Sequence, residues 1–275
     1  MGAVNVPLPV RLLPSVAERA WFTPPRPSDR AGARDSQALE SVEPISVNVE
    51  GRARPGFVTG EGPLLILVHG WGGRAAQMLD LAQAAARKGY RAVAIDAPGH
   101  NTDERRTSDG FQIAAALEAV ETTFGPSEAV VAHSLGAMAT VMAFDDRPPR
   151  AVVWLAPVLD VRDSLKVFSH RAKLAPWTSR SLRRRVERFI GDWWPTLTAG
   201  PQTDLPGANL LIVHDPDDPD ADFKLSAALA HRRPDTRLVE APGTGHNMLL
   251  RDPDVISKVV SFLDEARVLD SQPNL

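Results

Sequence analysis

Apolar and polar positions follow two rhythms along this chain, and their alternation predicts its architecture. Ile45-Ser46-Val47-Asn48-Val49 alternates with period two, the pattern of a half-buried strand, and a partner strand follows through Gly51 to Val58. Leu64-Leu65-Ile66-Leu67-Val68 is instead a continuous apolar run, as expected of a strand covered on both faces. Similar short runs recur at Arg91 to Ile95, Ala129 to Val131, Ala151 to Leu155, Asn209 to Val213 and Thr236 to Val239. Helical stretches separate them, at about Ala75 to Lys88, Ser108 to Phe124, onward from Leu135, Asp222 to His231 and Pro253 to Leu269. Strand–helix alternation at this spacing predicts an α/β architecture, a mostly parallel, doubly wound sheet of about eight strands.

Two segments break the rhythm. Residues 158–206 hold no convincing strand but carry Phe168, Trp177, Phe189, Trp193 and Trp194, and the basic run Arg183-Arg184-Arg185-Val186-Glu187-Arg188. They read as a helical insertion that divides the core into residues 45–157 and 207–275. The basic run reads as a solvated helix face. Residues 1–44 are rich in proline, and within them Pro14 to Phe22 is expected to form a short amphipathic helix docked on the body. Lining a binding site and peripheral membrane contact through residues 10–22 are further readings of the same segment. Thr23 to Ser36 reads as an irregular linker.

Composition narrows the function classes. The chain has 275 residues, 43% hydrophobic and 24% charged, and Lys+Arg 31 against Asp+Glu 34 gives a net charge of −3, with no basic excess to suggest nucleic acid. There is no cysteine, so thiolate catalysis, disulfides and Cys-ligated zinc are excluded. No basic stretch followed by an apolar run marks a signal peptide, and no run approaches a membrane span, so the expected location is cytoplasmic.

Parallel sheets react at the carboxyl ends of their strands, so the residues just past each strand carry the chemistry. His69-Gly70-Trp71-Gly72-Gly73 follows Val68, and Asp96-Ala97-Pro98-Gly99-His100 follows Ile95. Ala132-His133-Ser134-Leu135-Gly136 follows Val131, where a serine raised between a buried strand and a helix has the form of a nucleophile elbow. By itself this motif also fits a plain strand–helix turn. His214-Asp215-Pro216-Asp217-Asp218-Pro219 follows Val213, and Gly243-Thr244-Gly245-His246-Asn247 follows Val239. Serine, carboxylate and histidine thus come in that order at one sheet edge.

Taken together, the H-G-W-G-G, D-x-P-G-H, A-H-S-L-G and T-G-H segments resemble the α/β-hydrolase superfamily, from about residue 45 to the C-terminus. Ala132 stands where the elbow pattern has its first glycine, and Asn101 where the D-x-P-G-H segment usually continues with glycine. The resemblance implies an α/β-hydrolase fold whose insertion is a cap, and a Ser–acid–His mechanism. Ser134 would be the nucleophile and His246 its base. Asp218 fits the acid best, with Asp215 and Asp217 as rivals and Asp160 as the alternative after the preceding strand. The backbone N–H groups of Leu135 and Trp71 would stabilise the oxyanion. His133, His69 and His100 read as supporting groups. The expected activity is cofactor- and metal-independent hydrolysis of a small carboxylic ester with an apolar portion. A thioesterase or lactonase would use the same residues, and a non-catalytic binding protein of this fold is the reading from another class.

Overall fold

The computed structural model describes residues 13–101, 103–104, 106–203 and 205–268. Before the sheet come α1 (Pro14–Trp21) and α2 (Asp29–Leu39), followed by β1 (Glu43–Val49), β2 (Arg52–Thr59) and β3 (Leu64–Val68). Glu50 and Gly51 both take positive φ, which is the two-residue turn that matches the twist of the β1–β2 hairpin. There follow α3 (Leu79–Ala86), β4 (Arg91–Ile95), α4 (Gly110–Phe124), β5 (Ser127–His133), α5 (Leu135–Phe144) and β6 (Ala151–Leu155). The insertion is helical as expected, with α6 (Val161–Arg171), α7 (Pro176–Ile190) and α8 (Trp194–Leu197). The chain then returns to the sheet with β7 (Asn209–His214), α9 (Phe223–Arg232), β8 (Arg237–Glu240), α10 (Gly245–Met248) and α11 (Pro253–Val268).

The eight strands lie in the order β1-β2-β4-β3-β5-β6-β7-β8. β1 and β2 are antiparallel, and every pairing from β4 across to β8 is parallel. The period of two explains how a continuous apolar strand serves two faces. Leu64, Ile66 and Val68 of β3 join one core cluster with Ile113 and Leu117 of α4 and Val141 of α5. Leu65 and Leu67 point the other way, into a cluster with Leu81 of α3 and Val259 and Phe262 of α11. β1 has one wet face, and there Ser46 and Asn48 are exposed between buried Val47 and Val49.

The linker expected over Thr23 to Ser36 is corrected, because residues 29–39 are helical. The Ser28 side chain accepts a hydrogen bond from Ala31 N–H and caps α2, and Asp35 on this otherwise polar helix forms a buried ion pair with Arg74. Apart from Leu39 at its end, which packs on the core, the helix is mostly polar, so hydrophobic periodicity does not reveal it. The stretch from Ala75 to Lys88 is also not one helix, since a 3-10 turn over Ala75–Met78 precedes α3. Leu269, the expected end of the last helix, lies outside the described residues.

α1 packs on α7, with Ala17 only 4% exposed and Glu18 Oε2 2.7 Å from Arg185 Nη1. Residues 10–12 of the segment considered for membrane contact lie outside the described residues. Among the described residues, no helix is long and apolar enough to cross a membrane.

Candidate active site

Ser134 sits at the junction of β5 and α5 with φ 54 and ψ −118, a left-handed conformation that a residue with a Cβ adopts only under constraint. Three backbone bonds hold it there: Ser134 N–H donates to Leu155 O at 3.0 Å, and Ala137 N–H and Val158 N–H each donate to Ser134 O at 3.1 Å. The turn is tight enough to explain its small neighbours. A Cβ on Gly70 would lie 2.7 Å from the Ser134 Cβ, and one on Gly136 would lie 3.1 Å from Val68 Cγ1. Ala132 is still within β5, and its methyl group is fully buried in the core cluster, so a glycine is not required there.

Three side chains from beyond three different strands form one line. Ser134 Oγ lies 2.9 Å from His246 Nε2, and His246 Nδ1 lies 2.7 Å from Asp218 Oδ2. In this geometry the serine hydroxyl donates to Nε2 while Nδ1–H donates to the carboxylate. His246 is carried by the one-turn helix α10 rather than by an open loop, after Gly243 and Gly245, both at positive φ. Burial alone would raise the pKa of Asp218. Its contacts with His214 and His246 and the backbone N–H of Asp220 outweigh that effect and hold the carboxyl well below the usual carboxylate range.

The rival carboxylates are engaged elsewhere. Asp215 accepts from the backbone N–H groups of Asp217 and Gly245, fixing both ends of the turn around Asp218 and His246. Asp217 is exposed. Asp160 caps α6 through Arg162 N–H and forms an ion pair with the Arg162 guanidinium. Asp218, Asp220 and His246 place ligand-type atoms within 4.8 Å of one another, but Asp220 is bound to Arg171 and the other two to each other.

Among the described residues, neither Leu135 N–H nor Trp71 N–H has a hydrogen-bond partner. Leu135 opens α5, where the first N–H groups of a helix have no partner within it. The Trp71 loop is braced from behind by histidines. His69 Nδ1–H donates to Gly70 O at 2.8 Å, and His69 Nε2 accepts from Ala97 N–H at 3.0 Å. His100 packs edge-on to Trp71 with ring centroids 5.2 Å apart. His133 Nε2–H donates to His246 O at 2.8 Å. Burial holds these three rings neutral, pushing His69 down to about 4 and His100 and His133 down to about 3.

One supporting residue was not legible in the sequence. His214, at the end of β7, is fully buried, and its Nδ1 lies 2.8 Å from Ser226 Oγ. Its Nε2 stands 3.3 Å from Asp218 Oδ2, a close contact that is off the axis of a well-directed hydrogen bond. The i, i+4 spacing of His214 and Asp218 was visible in the sequence, but a histidine ending a strand has no local mark of facing a carboxylate.

Above Ser134 opens an apolar cavity of about 170 Å³. It is lined by Trp71, Met138 and Met142, by Val161, Phe168, Phe189 and Ile190 of the inserted helices, and by Trp21 and Phe22 of the N-terminal segment. The five aromatic residues of the insertion therefore divide. Phe168 and Phe189 line the cavity, Phe189 with 47% of its surface exposed, Trp193 and Trp194 pack against the core, and Trp177 is exposed. In the basic run, Arg185 pairs with Glu18, and Arg183, Arg184 and Arg188 are exposed.

Comparison with known proteins agrees with this fold. A family model described as "Alpha/beta hydrolase family" matches residues 65–259. Solved structures with the same fold include a bacterial membrane phospholipase A, with a TM-score of 0.62 and 16% identity over 86% of this chain and 91% of that one. They also include an epoxide hydrolase from Vigna radiata, with a TM-score of 0.62 and 16% identity over 82% of this chain and 99% of that one. A serine hydrolase involved in carbazole degradation has a TM-score of 0.59 and 16% identity over 82% of this chain and 99% of its own. No curated protein matches the chain.

Proposed function

The chain belongs to the alpha/beta hydrolase family, and on that premise we propose that it is a serine hydrolase that cleaves carboxylic esters with an apolar portion. The observation that carries this reading is the continuous line Ser134 Oγ–His246 Nε2, His246 Nδ1–Asp218 Oδ2, at 2.9 and 2.7 Å.

A serine hydroxyl is a weak nucleophile at neutral pH and needs a base within hydrogen-bond reach. His246 takes the Ser134 proton as Oγ attacks the ester carbonyl carbon. Asp218 holds the imidazole in the tautomer whose Nε2 is free to accept, and it stabilises the imidazolium that forms. The carbonyl oxygen becomes an oxyanion, for which Leu135 N–H and Trp71 N–H are the donors. Collapse expels the alcohol, which receives the proton from His246, and leaves an acyl group on Ser134. Water, deprotonated by His246, then attacks the acyl carbon and releases the acid. The inserted helices α6 to α8 act as a cap, and the cavity beneath them takes the apolar portion of the ester. An epoxide hydrolase mechanism of this fold requires an aspartate at the elbow, where this chain has Ser134.

Labelling by a fluorophosphonate probe, followed by peptide mapping, tests the reading. Modification is expected at Ser134, and Ser134→Ala is expected to abolish both labelling and hydrolysis of short p-nitrophenyl esters. Full activity in Ser134→Ala would overturn it.

A further inference from the structure

The family match begins at residue 65, yet part of the cavity wall lies far ahead of it in sequence. Trp21 and Phe22, at the end of α1, line the cavity that contains Ser134. Each meets an aromatic ring of the insertion. Trp21 packs edge-on to Phe168 with centroids 5.4 Å apart, and Phe22 tilts against Phe189 at 4.8 Å.

This segment is fastened at three points. Glu18 pairs with Arg185 of α7 at 2.7 Å. Ser108 N–H donates to Phe22 O at 2.9 Å, tying the segment to the loop before α4. Pro25 then presses on the Trp71 loop, since a Cβ on Gly72 would lie 2.4 Å from Pro25 Cγ. A chain pinned to two elements of the body and one of the insertion holds its side chains in fixed positions, and two of those side chains are aromatic faces on an apolar cavity.

We propose that residues 14–25 form a strap that completes the substrate pocket, with Trp21 and Phe22 selecting which apolar chains reach Ser134. The proposal rests on the hydrolase reading of the site. The ligand chemistry is an unbranched hydrocarbon chain, supplied by either the acyl or the alcohol side of the ester. Rings at the cavity wall add contact area only for a chain long enough to touch them, so the strap acts on long chains and leaves short ones indifferent.

Two ester series test this on the full-length protein and on Trp21→Ala: p-nitrophenyl esters from acetate to dodecanoate, and acetates of 1-alkanols of the same lengths. In at least one series, the kcat/KM for the eight-carbon member relative to the two-carbon member is expected to fall at least fivefold in Trp21→Ala. The aromatic replacement Trp21→Phe and the single-ring variant Phe22→Leu are expected to lie between wild type and Trp21→Ala. The series that responds identifies the acyl or alcohol side. A ratio within twofold of wild type in both series, with circular dichroism showing folded protein, overturns the proposal. Calorimetric binding of octanoate and of 1-octanol to Ser134→Ala, with and without Trp21→Ala, gives a readout independent of turnover. At least fivefold weaker binding of either ligand supports the strap, and unchanged binding of both overturns it. If wild type cleaves no ester and Ser134 is not labelled, the hydrolase reading fails by itself, while calorimetry still decides the strap.

Discussion

His246 Nδ1 lies 2.7 Å from Asp218 Oδ2, and the Asp218 side chain is completely shielded from solvent. A buried carboxylate on one ring nitrogen fixes which nitrogen is free for Ser134. Asp218→Asn offers a neutral amide in its place and stabilises the wrong tautomer. It is expected to lower kcat by about 10³–10⁴-fold. Asp217→Asn, at an exposed position, is expected to stay within about twofold of wild type, as surface changes do. Steady-state kinetics on one p-nitrophenyl ester measures both.

His214 is the second neighbour of that carboxylate, 3.3 Å from Asp218 Oδ2 on one side of its ring and bound to Ser226 on the other. His214→Leu removes a polar contact to a charged group and leaves Ser226 without its partner. A loss of about tenfold in kcat is expected, the equivalent of ~1.4 kcal/mol and just below the range for a well-directed hydrogen bond to a charge. Stopped-flow or steady-state turnover compared with thermal melting separates this loss from simple destabilisation.

Gly72 has φ +70 and a neighbouring proline ring where a Cβ would go. Gly72→Ala therefore strains the backbone and pushes Pro25 or the Trp71 loop outward, with an expected cost of about 1–3 kcal/mol. Because Trp71 N–H is a proposed oxyanion donor, kcat is also expected to fall by about 10–100-fold, approaching the loss of a full donor. Chemical denaturation and kinetics on the same preparation give both numbers.

His69, His100 and His133 are buried and neutral, with pKa values lowered to about 4, about 3 and about 3 from an ordinary 6.5. The unfolded chain takes up protons at these rings near pH 6.5, and the folded chain does not. Stability is therefore fully present above pH 6.5 and falls as pH drops from 6.5 toward 3–4. At pH 5 each ring accounts for about 2 kcal/mol of the loss. A fall in Tm of at least about 10 °C between pH 7.5 and pH 5 is expected. Differential scanning calorimetry across that range checks it, and a flat Tm would contradict the neutral assignment.

The sheet was legible in the residues alone, and so were the candidate serine and histidine. Five-residue apolar runs such as Leu64–Val68 mark buried strands because a strand covered on both faces has no polar position to reveal. The Ser134 segment alone also fits a plain strand–helix turn, and it was the order of serine, carboxylate and histidine segments past successive strands that marked Ser134 and His246. Each apolar run and each strand-end segment is a local pattern, written in adjacent residues.

Which carboxylate meets His246 is set by packing. Asp215, Asp217 and Asp218 share one turn and one composition, so nothing local separates them. Distance does, because Asp218 meets His246 from 28 positions away while Asp215 meets the Gly245 N–H and Asp160 meets Arg162. The same holds for α2, which the Asp35–Arg74 ion pair and the packing of Leu39 tie to the body. It holds for Trp21 and Phe22 too, which spacing placed on an amphipathic helix and which folding placed against Phe168, Phe189 and the cavity over Ser134. Contacts between residues far apart in sequence depend on how the whole chain packs, and no short window of residues records that.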